Sequence, residues 1–203
     1  MLFAVLFAAT LLLIRLKMPE GVSDSAEWLD DQKGGILTAT VLMPFAGISF
    51  LWFIGVVRDG FGRYEDRFFA SVFLGSGLLF LAMMFVATAT AAALVATNKA
   101  VVDPTAHLEV VNFGKTVVVS ASKTYAIRMA AVFMMSLATI WLKTGLMPRW
   151  LVGVSYVVAL GLLIAGDVSM WVVMAFPVWV LVVSCLILVR AGAFAEHRDS
   201  LTT

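Results

Sequence analysis

Nothing limits the fold of this chain more than its recurring apolar runs about twenty residues long. That is the length that crosses some 30 Å of hydrocarbon at about 1.5 Å per residue. The runs fall at residues 1–16, 36–57, 68–97, 117–142, 150–165 and 170–190. With 62% apolar and 13% charged residues, a soluble domain of 203 residues could not cover its own exterior, so lipid must be the solvent. The runs are continuous rather than short alternating segments, which selects helices over a barrel. The expected fold is all-α: one integral membrane bundle of six transmembrane helices, with residues 191–203 a polar tail.

The first run lacks a basic segment before it and a small-residue cleavage site after it, so it reads as a span rather than a signal peptide. It is short, as a late-placed start would make it, and Arg15 and Lys17 can snorkel to extend its reach. Five helices are the alternative if this run is not retained. In the polar stretch that follows, Asp24 and Glu27 have the spacing of a capping box. A short interfacial helix bearing Trp28 and Leu29 is expected there, ended by Gly34 and Gly35. Pro44 and Gly47 predict a kink in the second span. The third run repeats small residues four apart, with Ser71 and Gly75, then Ala87 and Ala91, then Thr88, Ala92 and Ala96. Such faces allow close helix–helix approach.

Asp103 and Pro104 have the order of an N-cap followed by the first turn. One long helix is expected from there to Lys143, amphipathic at first and spanning over 117–142, with Gly145 as its C-cap. Pro148 opens the fifth helix, and Asp167 sits at the turn into the sixth as a turn former or N-cap. Seven Lys and Arg residues (Arg58, Arg63, Arg67, Lys143, Arg149, Arg190, Arg198) would lie on one side and six (Arg15, Lys17, Lys33, Lys99, Lys115, Lys123) on the other. The first group occupies the short connections, which puts both termini inside by the positive-inside rule. Trp52, Trp141 and Trp150 fall near that same face, as an aromatic belt would.

The most informative polar feature is a row on the fourth helix. Asn112, Thr116, Ser120, Thr124 and Arg128 are spaced four apart, and Ser136 continues the line. Residues at i and i+4 share a helix face, so this is a polar seam ending in an arginine inside the span. A charge within the bilayer faces protein, water or a headgroup. The seam is a candidate ligand site, with Arg128 gripping an anion or lipid headgroup. Equally, it is a seam of interhelical hydrogen bonds. The second candidate is the loop Arg58, Asp59, Arg63, Glu65, Asp66 and Arg67, either a docking surface for a partner or a solvated topology signal.

Several chemistries lack their residues. The two histidines, His107 and His197, fall outside the spans, where they cannot serve as axial ligands to a haem in the bundle. One cysteine, Cys185, with two distant histidines cannot make a zinc site. No phosphate-binding glycine loop, nucleophile elbow or metalloprotease helix is present. Pro44 and Pro177 do not occupy matching places in a three-plus-three repeat, as an inverted-repeat transporter would show. No cofactor, metal or catalytic residue is therefore expected. A net charge of +1 argues against nucleic acid as a main partner.

The strings LMPFAGISFLWFIGVV, RDGFGRYEDRFFASVFLGSGLLF, YAIRMAAVFMMSLATI and MPRWL make the chain resemble a group of bacterial, mainly actinobacterial, multi-spanning membrane proteins that carry no assigned biochemical function. The resemblance covers most of residues 35–190, and Arg58, Asp59, Glu65, Asp66, Arg67 and Arg128 match its polar positions. It implies a multi-pass protein of the bacterial plasma membrane, without a mechanism. The residues then point to a non-enzymatic protein that packs, in the bilayer, against a second copy or another membrane protein. The alternative is a small transporter or a lipid- or anion-binding protein using the seam centred on Arg128.

Overall fold

The computed structural model of the chain describes residues 1–15, 27–60, 67–98, 103–165 and 170–199. The described residues are helical throughout apart from short turns, with no strand among them. In order they form α1 (Leu2–Arg15), α2 (Glu27–Asp59), α3 (Arg67–Thr97), α4 (Pro104–Val119), a π-helical segment (Ser120–Ala126), α5 (Ile127–Thr144), α6 (Arg149–Ala165) and α7 (Met170–Asp199). The fourth, π-helical and fifth elements are one continuous helix of 41 residues, Pro104–Thr144. This helix, α2 and α3 are long and apolar enough to cross a membrane.

Local chemistry explains where the longest helix begins and ends. The Asp103 carboxylate accepts from the Thr105 backbone N–H at 3.0 Å, and Pro104 follows at the first helical position, where it forfeits no helical bond. At the other end Gly145 takes φ +67°, a left-handed conformation that any Cβ would disfavour, and its N–H bonds Trp141 O at 2.9 Å. Inside the helices, hydroxyls donate to the carbonyl one turn back. Thr10 bonds Leu6 O at 2.8 Å, Ser76 bonds Val72 O at 2.7 Å and Thr88 bonds Met84 O at 2.9 Å. Their polarity is thus absorbed within the helix that carries them.

The main core is a stack of aromatic rings to which α1, α2, α3, α5 and α7 contribute. Phe3 lies 4.5 Å from Phe50, Phe73 stacks on Phe133 at 4.4 Å, and Phe80 meets Phe176 edge-on at 4.9 Å. Trp179 continues the stack to Trp141 at 6.1 Å. The sixth helix closes it with Leu151, Val152, Ala159 and Leu162. In lipid such packing acts through dispersion and shape rather than the exclusion of water, and each ring pair adds about 0.5–1.5 kcal/mol. Phe3, Phe7 and Leu11 of α1 are all fully buried here, so the first helix is part of the core rather than an appendage.

A second, smaller core lies beyond α1, where α2 begins, α3 ends and α4 begins. Leu29, Ile36, Ala39, Ala87, Ala91, Leu94, Val111 and Val118 fill it. The extra length of α2, α3 and α4 is what builds this extension.

Four expectations need correction. Gly34 and Gly35 do not end a separate interfacial helix, because α2 runs through them from Glu27. A Cβ on Gly35 would stand 3.3 Å from the Leu13 carbonyl oxygen, so this glycine serves the close approach of α1. Ser71 and Gly75 are not a packed face: Ser71 is exposed and a Cβ on Gly75 would meet nothing within 4 Å. The close approach on α3 is at Gly77 instead, with Ile54 Cδ1 2.9 Å from where its Cβ would be. Trp52 and Trp150 are 73% and 57% exposed, but Trp141 is 2% exposed and belongs to the core, so it does not face outward with them. Finally, α7 continues to Asp199, through residues read as a polar tail.

Candidate functional site

All five residues of the polar row lie on the continuous helix, two on α4, two in the π-helical segment and one on α5. Thr116 is exposed, while Asn112, Ser120, Thr124 and Arg128 are half-buried. The row therefore runs along the flank of the helix, between its buried and its outward faces. Thr116 donates to Asn112 O at 2.8 Å, and the Arg128 guanidinium reaches back to Thr124 O at 3.2 Å. The first two members and the last two are thus each linked along the line. Ser136 is buried, with its hydroxyl on Val132 O at 2.8 Å, so the row leaves the surface before that point.

The π-helical segment keeps this line straight. In an α-helix an i, i+4 row drifts around the axis by about 40° per step, because four residues exceed one turn of 3.6. A π turn closes with i→i+5 bonds and is wider, so across Ser120–Ala126 the drift reverses. The buried positions record the same shift. They run Val111, Lys115, Val118 and Ser122, and then resume at Ala126, Ala130 and Met134. Tyr125, which unbroken α-periodicity would turn inward, is 59% exposed.

Lys115 carries a feature that the charge count overlooked. Counted among the charges of one membrane side, on the amphipathic start of the long helix, it is only 4% exposed, against the smaller core, with its ammonium 5.9 Å from the centre of the Trp28 ring. A cation over an aromatic face is attracted by the ring quadrupole. The clue was periodicity: Lys115 lies four after Val111 and three before Val118, on the apolar stripe of α4.

Of the loop candidates, Arg58, Asp59 and Arg67 are exposed where α2 ends and α3 begins. Arg63, Glu65 and Asp66 lie outside the described residues, as does Asp167. Among the described residues, two polar side-chain contacts link α6 to its neighbours. The Thr139 and Tyr156 hydroxyls share a hydrogen at 2.6 Å, and Trp179 Nε1 donates to Ser155 Oγ at 2.8 Å. No protein-family model, curated protein or solved structure matches this chain.

Proposed function

We propose that the protein is a non-enzymatic, six-span protein of the bacterial plasma membrane, with cytoplasmic termini, that acts by associating in the bilayer through the polar row of α4 and α5. The occupant of that row is a second copy of the chain. One observation carries this reading: the row lies on the outer flank of the longest helix, with Thr116 exposed and the other four half-buried. Polar side chains at a lipid-facing flank are stabilised when another helix supplies hydrogen-bonding partners. The Ala87, Thr88 and Ala91 part of the small-residue face of α3 is not available for the same purpose, since these residues are already buried within the chain. The count of six is supported by α1 and α6, short apolar helices whose side chains enter the same ring-filled core as the long ones.

A second reading places an anion or lipid headgroup at Arg128, favoured by the guanidinium lying beside a π-helical segment, a geometry frequent at functional sites. Transport along the bundle axis is disfavoured, because Phe3, Phe7, Phe50, Phe80, Phe133 and Phe176 fill it.

The test is cysteine crosslinking in native membranes, with Cys185 replaced by Ser and single cysteines placed at Thr116 or Ser120. Oxidation is expected to give dimers at both positions and none at Val157, an exposed position on α6. Arg128→Leu should weaken the dimer seen by native mass spectrometry. A strict monomer with no crosslink along the row overturns the reading.

A further inference from the structure

The outer end of the bundle carries a groove that neither the row nor the main core explains. It lies between α2 and the end of α3, has a volume of about 250 Å³, and is lined by Asp30, Lys33 and Asn98 with Leu29, Leu37 and Val95 as apolar wall. Its depth in the membrane follows from charge. Lys33 is the last charged residue before residues 34–57, none of which is charged, a helical length of about 36 Å. Asn98 likewise follows residues 68–97, also free of charge. The polar lip of the groove therefore sits at the hydrocarbon boundary, and Leu37 faces the hydrocarbon side of it.

The two charges of the groove have opposite sign and stand side by side on α2. Asp30 and Lys33 are three apart on α2, hence neighbours on one helix face with Cβ atoms about 5–6 Å apart. Asp30 Oδ1 accepts from Asn98 Nδ2 at 2.8 Å, which ties the carboxylate to α3 and leaves its other oxygen for a further donor. The helix α3 ends at Thr97, so its negative dipole end adds to the carboxylate on that side. One end of the groove thus favours a cation with N–H donors and the other, at Lys33, an anion.

We infer that this groove binds the phosphoethanolamine headgroup of a bilayer phospholipid, its ammonium on Asp30 and its phosphate on Lys33. In that headgroup two carbons separate the phosphate ester oxygen from a primary ammonium, so one molecule presents a cation with N–H donors and an anion to the two opposite charges that line the groove. A choline headgroup has no N–H to give Asp30, and a glycerol headgroup has no cation. The apolar wall at Leu37 and Val95 takes the glycerol backbone and the start of an acyl chain, which is why the ligand is a membrane lipid rather than a soluble zwitterion. This site is independent of the α4–α5 row and requires only that α2 and α3 cross the membrane.

The experiment uses the full chain in nanodiscs of mixed phosphatidylethanolamine, phosphatidylcholine and phosphatidylglycerol, released for native mass spectrometry. Phosphatidylethanolamine should remain bound in preference to the other two. Because both side chains are exposed, Asp30→Asn and Lys33→Gln should fold normally and lower that preference about twofold to fivefold, the weight of one solvent-exposed ion pair. Asp31→Asn, a neighbouring exposed carboxylate that does not line the groove, should leave it unchanged. Equal retention of the three lipids, or equal losses in all three variants, overturns the proposal. Free phosphoethanolamine added to phosphatidylglycerol nanodiscs distinguishes the source: protection against heat as strong as that from the lipid overturns the assignment to a lipid.

Discussion

The indole N–H of Trp179 on α7 donates to the Ser155 hydroxyl on α6 at 2.8 Å, and that hydroxyl itself donates to Leu151 O at 2.7 Å. Both residues are buried, so the two partners are not equivalent. Ser155→Ala leaves a buried indole N–H without an acceptor and should cost about 1–3 kcal/mol. Trp179→Phe leaves Ser155 with its backbone bond intact, so its cost should come from lost ring contacts alone. A double-mutant cycle on unfolding in mixed micelles measures the coupling, which should exceed about 0.5 kcal/mol.

Phe7 is buried against Phe80, with ring centres 5.2 Å apart, so α1 is packed into the ring stack. Phe7→Ala should lower stability by about 3–5 kcal/mol, since the rigid ring stack around it cannot close the cavity. Val5→Ala on the same helix, at an exposed position, should cost far less. Thermal unfolding of the two variants in one detergent gives the comparison.

At Gly114 a Cβ would fall 2.5 Å from Leu94 Cδ2, inside the smaller core. Gly114→Val should destabilise by about 1–3 kcal/mol through overpacking. At Gly153 and Gly161 of α6 nothing lies within 4 Å of an added Cβ, and both are exposed. Alanine there should be neutral or stabilising by up to about 1 kcal/mol, because it restricts the unfolded chain.

The cap at Asp103 predicts a local effect. Asp103→Ala removes the acceptor for Thr105 N–H and should weaken the first turn of α4 by about 1 kcal/mol. Hydrogen exchange at residues 105–107 should accelerate several-fold, while the midpoint of global unfolding moves little because the packed stretch begins at Val111. Uniform acceleration along the whole helix would contradict this.

What the sequence made legible was punctuation and run length. Asp103–Pro104, Gly145 and the limits of α3 follow from capping chemistry and apolar length. Gly34 and Gly35 misled because glycine's helix cost is a property of chains in water. In lipid an unbonded peptide group costs more than a glycine does, and Gly35 also admits α1. Trp141 misled because a belt is a matter of depth and burial a matter of helix face, and depth alone says nothing of face. Lys115 and the Asp30–Lys33 groove needed to be seen against a second helix, which no single run contains. The π-helical segment has no motif of its own; only the straightness of an i+4 row beside a shifted apolar stripe hints at it.

That segment has a consequence for how the gene can change. Ser120–Ala126 holds one residue more than α-helical winding would need to join the buried stripe of α4 to that of α5. The longest helix thus carries a spare residue, stored in one place. Deleting any one residue of that segment lets the helix rewind as α while the flanking faces stay aligned with both cores. The same deletion between Ile127 and Val132 turns every later side chain of the helix by about 100° and takes Phe133 out of the ring stack.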